Sequence, residues 1–463
     1  MKKSLFLLAP LFVLCACGTI VNPTPVSSEI VDISKSEEPI KSSSSEESIK
    51  SSSFEDDSEE SVSHEENPSQ YGLNMENSDK TGDVYYNFPK NARYQQLSLS
   101  TKENLIKTTL SDFDSYLSDS NNKDYVISPA SYALAISGLS AVSTGINNTA
   151  FGLSSSPSND VKSLLNSWNF EVKKESSENS SAEYNYIRSA VLHQQVGDTY
   201  KFDSTKRVSA ADKYISTLVS PLASAKNQAQ DFFKDKIGLS LNIPGEATQD
   251  GVVTYGALKM KDFVPGGLSS SNDTFNYQDG SKATIPVMPF GTIYYPKELK
   301  YANGSNFEVF QVGIEHTSMI IVLPNKDVAI EDVSVSNAYS LFKEQGKVEE
   351  TIGYVPFFHA KSENVNLTKI VKSKLNGSES FCSGLLQNTV VNDLQIDSVL
   401  QASDFEFNKY GVCGESITAV YLSGSAAPEE HEPIILNVDR PFYAISVMDD
   451  FPLFISKVNN PNR

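Results

Sequence analysis

The first place to look for chemistry in this 463-residue chain is its five histidines, His64, His193, His316, His359 and His431. No two stand at the spacing of a metal-binding pair, and no HExxH occurs, so the sequence offers no metal site. Glu429, Glu430, His431 and Glu432 carry enough ligand atoms for a cation, yet they read better as a solvated loop tip. There is no G-x-S-x-G elbow to present a nucleophilic serine. A phosphate-cradling P-loop and a dinucleotide glycine motif are also missing, so neither an enzyme nor a cofactor is expected. What remains is the stretch from Phe405 to Pro441, FEFNKYGVCGESITAVYLSGSAAPEEHEPIILNVDRP. Phe405, Phe407, Val412, Gly414, Ser416, Thr418 and Val420 place a small or apolar residue at strand spacing, but the Ser, Gly, Ala, Pro and Glu that follow favour an exposed loop. The alternate set is Cys413, Glu415, Ile417, Ala419 and Tyr421. A strand-like sequence leading into a loop is a conformational reserve.

The elements that must hold this stretch lie well downstream of the N-terminus. Lys2 and Lys3 precede an apolar run from Leu5 to Val13, which reads as a signal peptide over residues 1–16 rather than a membrane span. Leu14-Cys15-Ala16-Cys17 resembles the bacterial lipobox, which implies that Cys17 carries a lipid and becomes the mature N-terminus; ordinary secretory cleavage nearby is the alternative. No later apolar run reaches the roughly 18 residues of a spanning helix. The expectation is an exported cell-surface lipoprotein of a bacterium, touching the membrane only through its lipid. Residues 17–94 are rich in Ser and Glu with few core formers, a composition that cannot order itself. Between Glu29 and Glu66 there are thirteen acidic and three basic residues, net −10, half of the chain's −20. The acidity therefore belongs largely to this tether, and a mildly acidic body argues against nucleic-acid binding. About 75 flexible residues give a reach of about 50 Å, enough to hold a domain clear of the membrane.

The body starts near Gln95. Ser100 and Glu103 have capping-box spacing before Ile106, Leu110, Phe113 and Leu117, whose intervals make one helical face. Ser128 stands before Pro129 as an N-cap does, opening a helix with Tyr132, Ala135, Leu139 and Val142 along it. After Gly266 the pattern is mostly strand, at 284–288, 308–313, 319–323, 348–358, 394–399 and 405–407, with a helix over 366–375. If Cys15 leaves with the signal and Cys17 is lipidated, Cys382 and Cys413 remain; a disulfide between them would pin position 413, so free thiols are expected.

Several of these pieces, in this order over about 365 residues, resemble the serpin family. YVISPAS (Tyr125 to Ser131) is similar to its Ser-Pro-x-Ser helix start, MIIVLP (Met319 to Pro324) and VPFF (Val355 to Phe358) to two of its strands, and RPFYAISV with PLFISKVNNP to its closing hairpin and terminal Asn-Pro. Gly411 and Pro441-Phe442 resemble the two ends of its reactive-centre loop. The resemblance implies an α+β fold, one domain over 95–463, with helices packed on a large central β-sheet, two smaller sheets and an exposed loop at about 411–433. It implies a hinge at Gly411, Val412, Gly414, Ser416 and Thr418, and a shutter at Ser128, Ser131 and Gln401, where Gln401 replaces the family's histidine. Gln230 and Phe263 replace its usual Asn and Trp in the weakest part of the match.

Counting the family's spacing forward from Gly411 places the reactive bond at Ser425-Ala426, with Gly424 and Leu422 as alternatives. No Lys or Arg lies between Lys409 and Arg440, which disfavours a trypsin-like target. Small residues at the bond suit elastase-like or subtilisin-like serine proteases, and a cysteine protease reading Leu422 stays open. The expected function is a monomeric, surface-anchored suicide-substrate inhibitor that traps the acyl-enzyme by loop insertion. The alternative is a non-inhibitory, serpin-like binding or adhesion lipoprotein.

Overall fold

The first helix, Leu99–Leu117, forms because Leu105, Ile106, Leu110, Phe113 and Leu117 fall on one face and are buried there. Its cap is Ser98, two residues ahead of the expected Ser100: the Ser98 Oγ accepts from the Thr101 amide at 3.2 Å and its carbonyl from the Lys102 amide at 2.9 Å. Ser100 thus sits in the first turn. The second helix, Pro129–Val142, has Pro129 at its first position and Ser128 as its N-cap, in extended backbone (φ −118°, ψ 101°) with its side chain accepting from the Ser131 amide. Tyr132, Ala133, Leu134, Ile136 and Leu139 are all buried, so this helix is covered nearly all round rather than along one stripe. The reason is its place: it packs on strand Gly251–Phe263 on one side and on Phe451–Val458 on another.

This computed structural model describes residues 84–85 and 97–461, apart from 118–122, 145, 168–170, 174–181, 185, 195–214, 221–233, 235–238, 240–250, 264–267, 292–297, 314–316, 376–379, 384–393, 396–398 and 415–431. Cys17, the signal and most of the tether lie outside the described residues, as do Gln230, Ser416, Thr418, Leu422, Gly424, Ser425 and Ala426. Among the described residues no helix is long and apolar enough to cross a membrane.

Two large sheets carry the fold. In the seven-stranded sheet the order is Val84–Tyr85, Ile215–Ser220, Tyr186–Gln194, Gly251–Phe263, Gly411–Gly414, Leu400–Asn408, Phe358–Asn366. The other, ten-stranded, runs from Tyr125–Ile127 through the hairpin of Phe451–Val458 and Phe442–Met448 to Ser271–Asn276, with Ile434–Asn437 beside it. The two smaller sheets expected from sequence are continuous here, because strand Lys347–Pro356 pairs with Glu298–Asn303 near its start and with Lys282–Phe290 near its end. The strand expected over 348–358 divides at Phe357, whose amide donates to the Pro286 carbonyl, and Phe358 opens a strand in the seven-stranded sheet. Of the strand expected over 394–399, Leu394–Gln395 is strand and 396–398 lie outside the described residues, and the helix expected over 366–375 is Thr368–Ser373. Phenylalanines join the sheets: Phe405 lies 5.4 Å from Phe454 and Phe358 lies 5.6 Å from Phe442, ring centre to ring centre.

Candidate functional site: a slot in the seven-stranded sheet

The strand-like head of the 405–441 stretch folds back on itself. Leu400–Asn408 turns through Lys409 and Tyr410, with the Tyr410 amide held by Asn408 Oδ1 at 2.8 Å, and returns as Gly411–Gly414. Gly411 has φ 126°, a region that side chains rarely enter, so glycine is required at the bend. The short hinge strand is antiparallel to both neighbours: Val412 faces Phe407 on one side and Asp262 on the other. Val412 is buried, and along 400–408 the buried residues are Gln401, Ser403, Phe405 and Phe407, so the inward face of the hinge is set by period two. Gly411, Val412 and Gly414 of the expected hinge are thus already strand; Ser416 and Thr418 lie outside the described residues.

Among the described residues, neither neighbour of the hinge strand has a partner on that edge beyond the hinge. Gly251–Phe263 pairs with Tyr186–Gln194 along one edge and with the hinge through residues 260–263 along the other. Leu400–Asn408 pairs with Phe358–Asn366 and, through 406–408, with the hinge. Among the described residues these two rails have no ladder with each other, which leaves the inner edges of 251–259 and 400–405 unpaired. Because the hinge is antiparallel to both, the rails are parallel to one another, and a strand continuing the hinge would make two antiparallel ladders.

The start of the second helix forms the floor. Gln401 grips the backbone of Ser128 at two points, its Oε1 accepting from the Ser128 amide at 2.8 Å and its Nε2 donating to the Ser128 carbonyl at 2.9 Å. The Ser128 hydroxyl donates to the Leu453 carbonyl at 2.7 Å. On the opposite rail the Ser131 hydroxyl donates to the Gly256 carbonyl. Ser128, Ser131 and Gln401 therefore come together, tying one helix start to both rails, and Ser128 serves as N-cap and floor at once. A glutamine suits the two-point grip because its amide offers a donor and an acceptor side by side.

Sequence reasoning missed three further parts. Gly256 lies so close to the helix that a Cβ there would sit 1.7 Å from the Ser131 carbonyl oxygen; a glycine inside a strand pattern was the available signal. Asp262, fully buried opposite Val412, accepts from Thr317 through its amide (3.0 Å) and hydroxyl (2.8 Å). Ser362 and Ser403 face each other across the second rail and its neighbour, and Ser362 Oγ accepts from the Val126 amide at 2.8 Å. Of the histidines, His359 meets Asp404 at 2.7 Å on the exposed side of this rail. Cys382 and Cys413 fall in separate sheets. Among the described residues no group of three His, Cys, Asp or Glu could hold a metal ion.

The family model for serpins, serine protease inhibitors, matches residues 267–461, which include one rail, the hinge and the closing hairpin. Alaserpin of Manduca sexta is 27% identical over 185 residues, 37% of this chain; the match spans 45% of that curated relative's length. The thermophilic serpin tengpin in its native state matches 82% of this chain and 100% of its own, with TM-score 0.57 and 13% identity. Human thyroxine-binding globulin, solved in complex with thyroxine, matches 79% of this chain and 100% of its own, with TM-score 0.55 and 15% identity. At these identities the two solved structures share the fold.

Proposed function

Residues 267–461 belong to the serpin family and the chain folds as serpins do, and from that premise we propose that it is a suicide-substrate inhibitor of proteases, held at a bacterial cell surface by a lipid on Cys17. The seated hinge strand carries this reading: Gly411–Gly414 already pairs with both neighbouring strands, whose facing edges have no ladder with each other among the described residues. Continued in the same register, Ser416 and Thr418 fall on the inward face opposite Ser403 and Gln401, and Ser423 reaches Gly251, where the first rail ends. A cut at Ser425-Ala426 therefore frees enough chain to fill the slot.

In the reaction, the target's nucleophile attacks the carbonyl carbon of Ser425. The bond to the Ala426 nitrogen breaks, that nitrogen takes the proton removed from the nucleophile, and Ser425 remains as an acyl ester. About ten new backbone hydrogen bonds at roughly 1 kcal/mol each supply about 10 kcal/mol for insertion to outrun hydrolysis and distort the captured enzyme. The chain itself catalyses nothing. With no Lys or Arg near the bond, elastase-like or subtilisin-like serine proteases fit it, and a cysteine protease reading Leu422 is the next choice.

Glu415 favours the second reading, a non-inhibitory binding or adhesion lipoprotein, because in this register it falls opposite Asp404. Lys259 takes the position on its other side, which offsets the repulsion and leaves inhibition the better account. The test is incubation with elastase-like, subtilisin-like and papain-like proteases followed by a denaturing gel. A band near the summed mass that survives boiling is expected. Clean cleavage with full protease activity remaining would sink inhibition and leave the binding reading.

A further inference from the structure

Helix Val335–Gln345 packs on strands Glu298–Asn303 and Phe307–Gly313 of the ten-stranded sheet, and Lys300 lays its ammonium over the Phe342 ring at 4.4 Å near the helix end. That cover stops at Gly346, where the chain turns directly into strand Lys347–Pro356. Past this point, among the described residues, three large apolar side chains stand in solvent: Val348 is 65% exposed, Ile352 43% and Ile435 69%. They share one face of the sheet. Val348 and Ile352 are four residues apart on one strand, and Ile352 is the ladder partner of Ile435 in the parallel strand Ile434–Asn437. Val348 lies opposite Lys300, so this is the face that the helix covers further along. The same face carries Glu350, directly opposite Glu298. A single exposed isoleucine needs no explanation, but an apolar cluster beside two opposed carboxylates combines two costs. One kind of partner relieves both, a surface with an apolar tip and a basic rim.

We propose that this face docks the body of the protease being captured, through a basic, apolar-tipped part of that enzyme's surface. The proposal rests on the inhibitor reading above and adds a contact outside the loop; it makes no use of strand insertion. Reach selects the occupant. Ile435 stands nine residues after Ala426, so even a fully extended chain keeps the bond within about 30 Å of it. A protease domain of about 200 residues is roughly 40 Å across, wide enough to lie against this strand while seated on the bond. Charge disfavours the other occupants. Between Ala426 and Ile434 the sequence holds Glu429, Glu430 and Glu432 with no Lys or Arg, and the face itself presents Glu298 and Glu350. A second copy would bring carboxylates against carboxylates, and an anionic membrane would be repelled.

The test uses the full chain with whichever of the proteases above gives the boiling-resistant band, and reads the second-order rate at which protease activity is lost. Ile435→Ser and Glu298→Lys alter the apolar and the acidic half of the face at two exposed positions, and each should melt with the parent. Each should slow capture by roughly 3–10-fold. The share of chain that ends in complex rather than cleaved should stay at the parent's value, because the face acts on the encounter and not on the fate of the acyl ester. At about 0.5 M salt the Glu298→Lys defect should fade and the Ile435→Ser defect persist, since screening removes the charge and leaves the apolar contact. Equal rates in all three proteins, or a changed share in complex at an unchanged rate, would overturn the docking while inhibition stands. A parent that sediments as a dimer and becomes a monomer on Ile435→Ser would give the face to a second copy and overturn it as well. No boiling-resistant band from the parent with any of these proteases would sink inhibition and this contact with it.

Discussion

Lys457 is fully buried, and its ammonium reaches Glu331 at 2.9 Å. Burial works to raise the Glu331 carboxyl, but the hydrogen bonds from Lys457 and Gln278 and the lysine's charge outweigh it and hold the group below its ordinary 4.5. A depressed carboxyl contributes stability that is fully present above 4.5 and is lost as pH falls through the lower folded value. Asp112, Asp114 and Asp160 act in the opposite sense: burial raises each above 3.8, so the folded state holds their protons more tightly and their cost is relieved on acidification. Acid stability is thus a contest in which Glu331 stands on the losing side below pH 4.5. Glu331→Gln should cost about 2–4 kcal/mol at neutral pH by taking the carboxylate from a buried ammonium, and the midpoint of chemical denaturation should then fall less steeply as pH is lowered below 4.5. Adding Lys457→Met should recover part of the loss. If the single variant matches the parent at pH 7, the pair contributes nothing.

At the scale of elements, the closest approach in the site is between the second helix and strand Gly251–Phe263. Gly256 permits it, and Gly256→Ala should be among the most damaging single-methyl changes in the chain, because the clash is with the Ser131 backbone rather than a movable side chain. A loss of about 3 kcal/mol or more is expected from denaturant titration, whereas Gly280→Ala, in open space with φ 83°, should lose only about 1 kcal/mol from backbone strain. Comparable losses would mean that the helix yields easily. The contrast explains how far the elements were legible. Helices and strands announced themselves through apolar spacing, and Ser128-Pro129 through cap chemistry. The hairpin between Phe442–Met448 and Phe451–Val458 turns on Asp449 and Asp450, both at positive φ. Lys102 and Lys343 pair with those two aspartates and the Tyr339 hydroxyl donates to the Asp450 carbonyl, partners that no local pattern contains.

For the molecule as a whole, the slot is a property of pairing between segments about 150 residues apart in sequence, so no reading along the chain could locate it. The Phe405-to-Val420 alternation was legible because it is local, and the grouping of Ser128, Ser131 and Gln401 came from the family resemblance; the unpaired edges, and the two-point geometry of the Gln401 grip, required the folded register. That register makes a sharp distinction between adjacent positions. Ser416 and Ile417 are neighbours on the same segment, yet on insertion one would face Ser403 and the core and the other would face solvent. A glutamate at Ser416 would have to be buried with a single hydroxyl for company, at a cost of several kcal/mol, whereas one at Ile417 would cost less than about 0.5 kcal/mol. Ser416→Glu should therefore let the target protease cut and leave, with little boiling-resistant complex and little gain in melting temperature after cutting, while Ile417→Glu should trap as the parent does. Both residues stand eight or more positions before the proposed bond at Ser425, so a difference between them is not expected from recognition by the protease there. If Ile417→Glu were the variant that failed, the inserted strand would be one residue out of the register that Val412 and Phe407 set, and the inward face would be Glu415, Ile417 and Ala419.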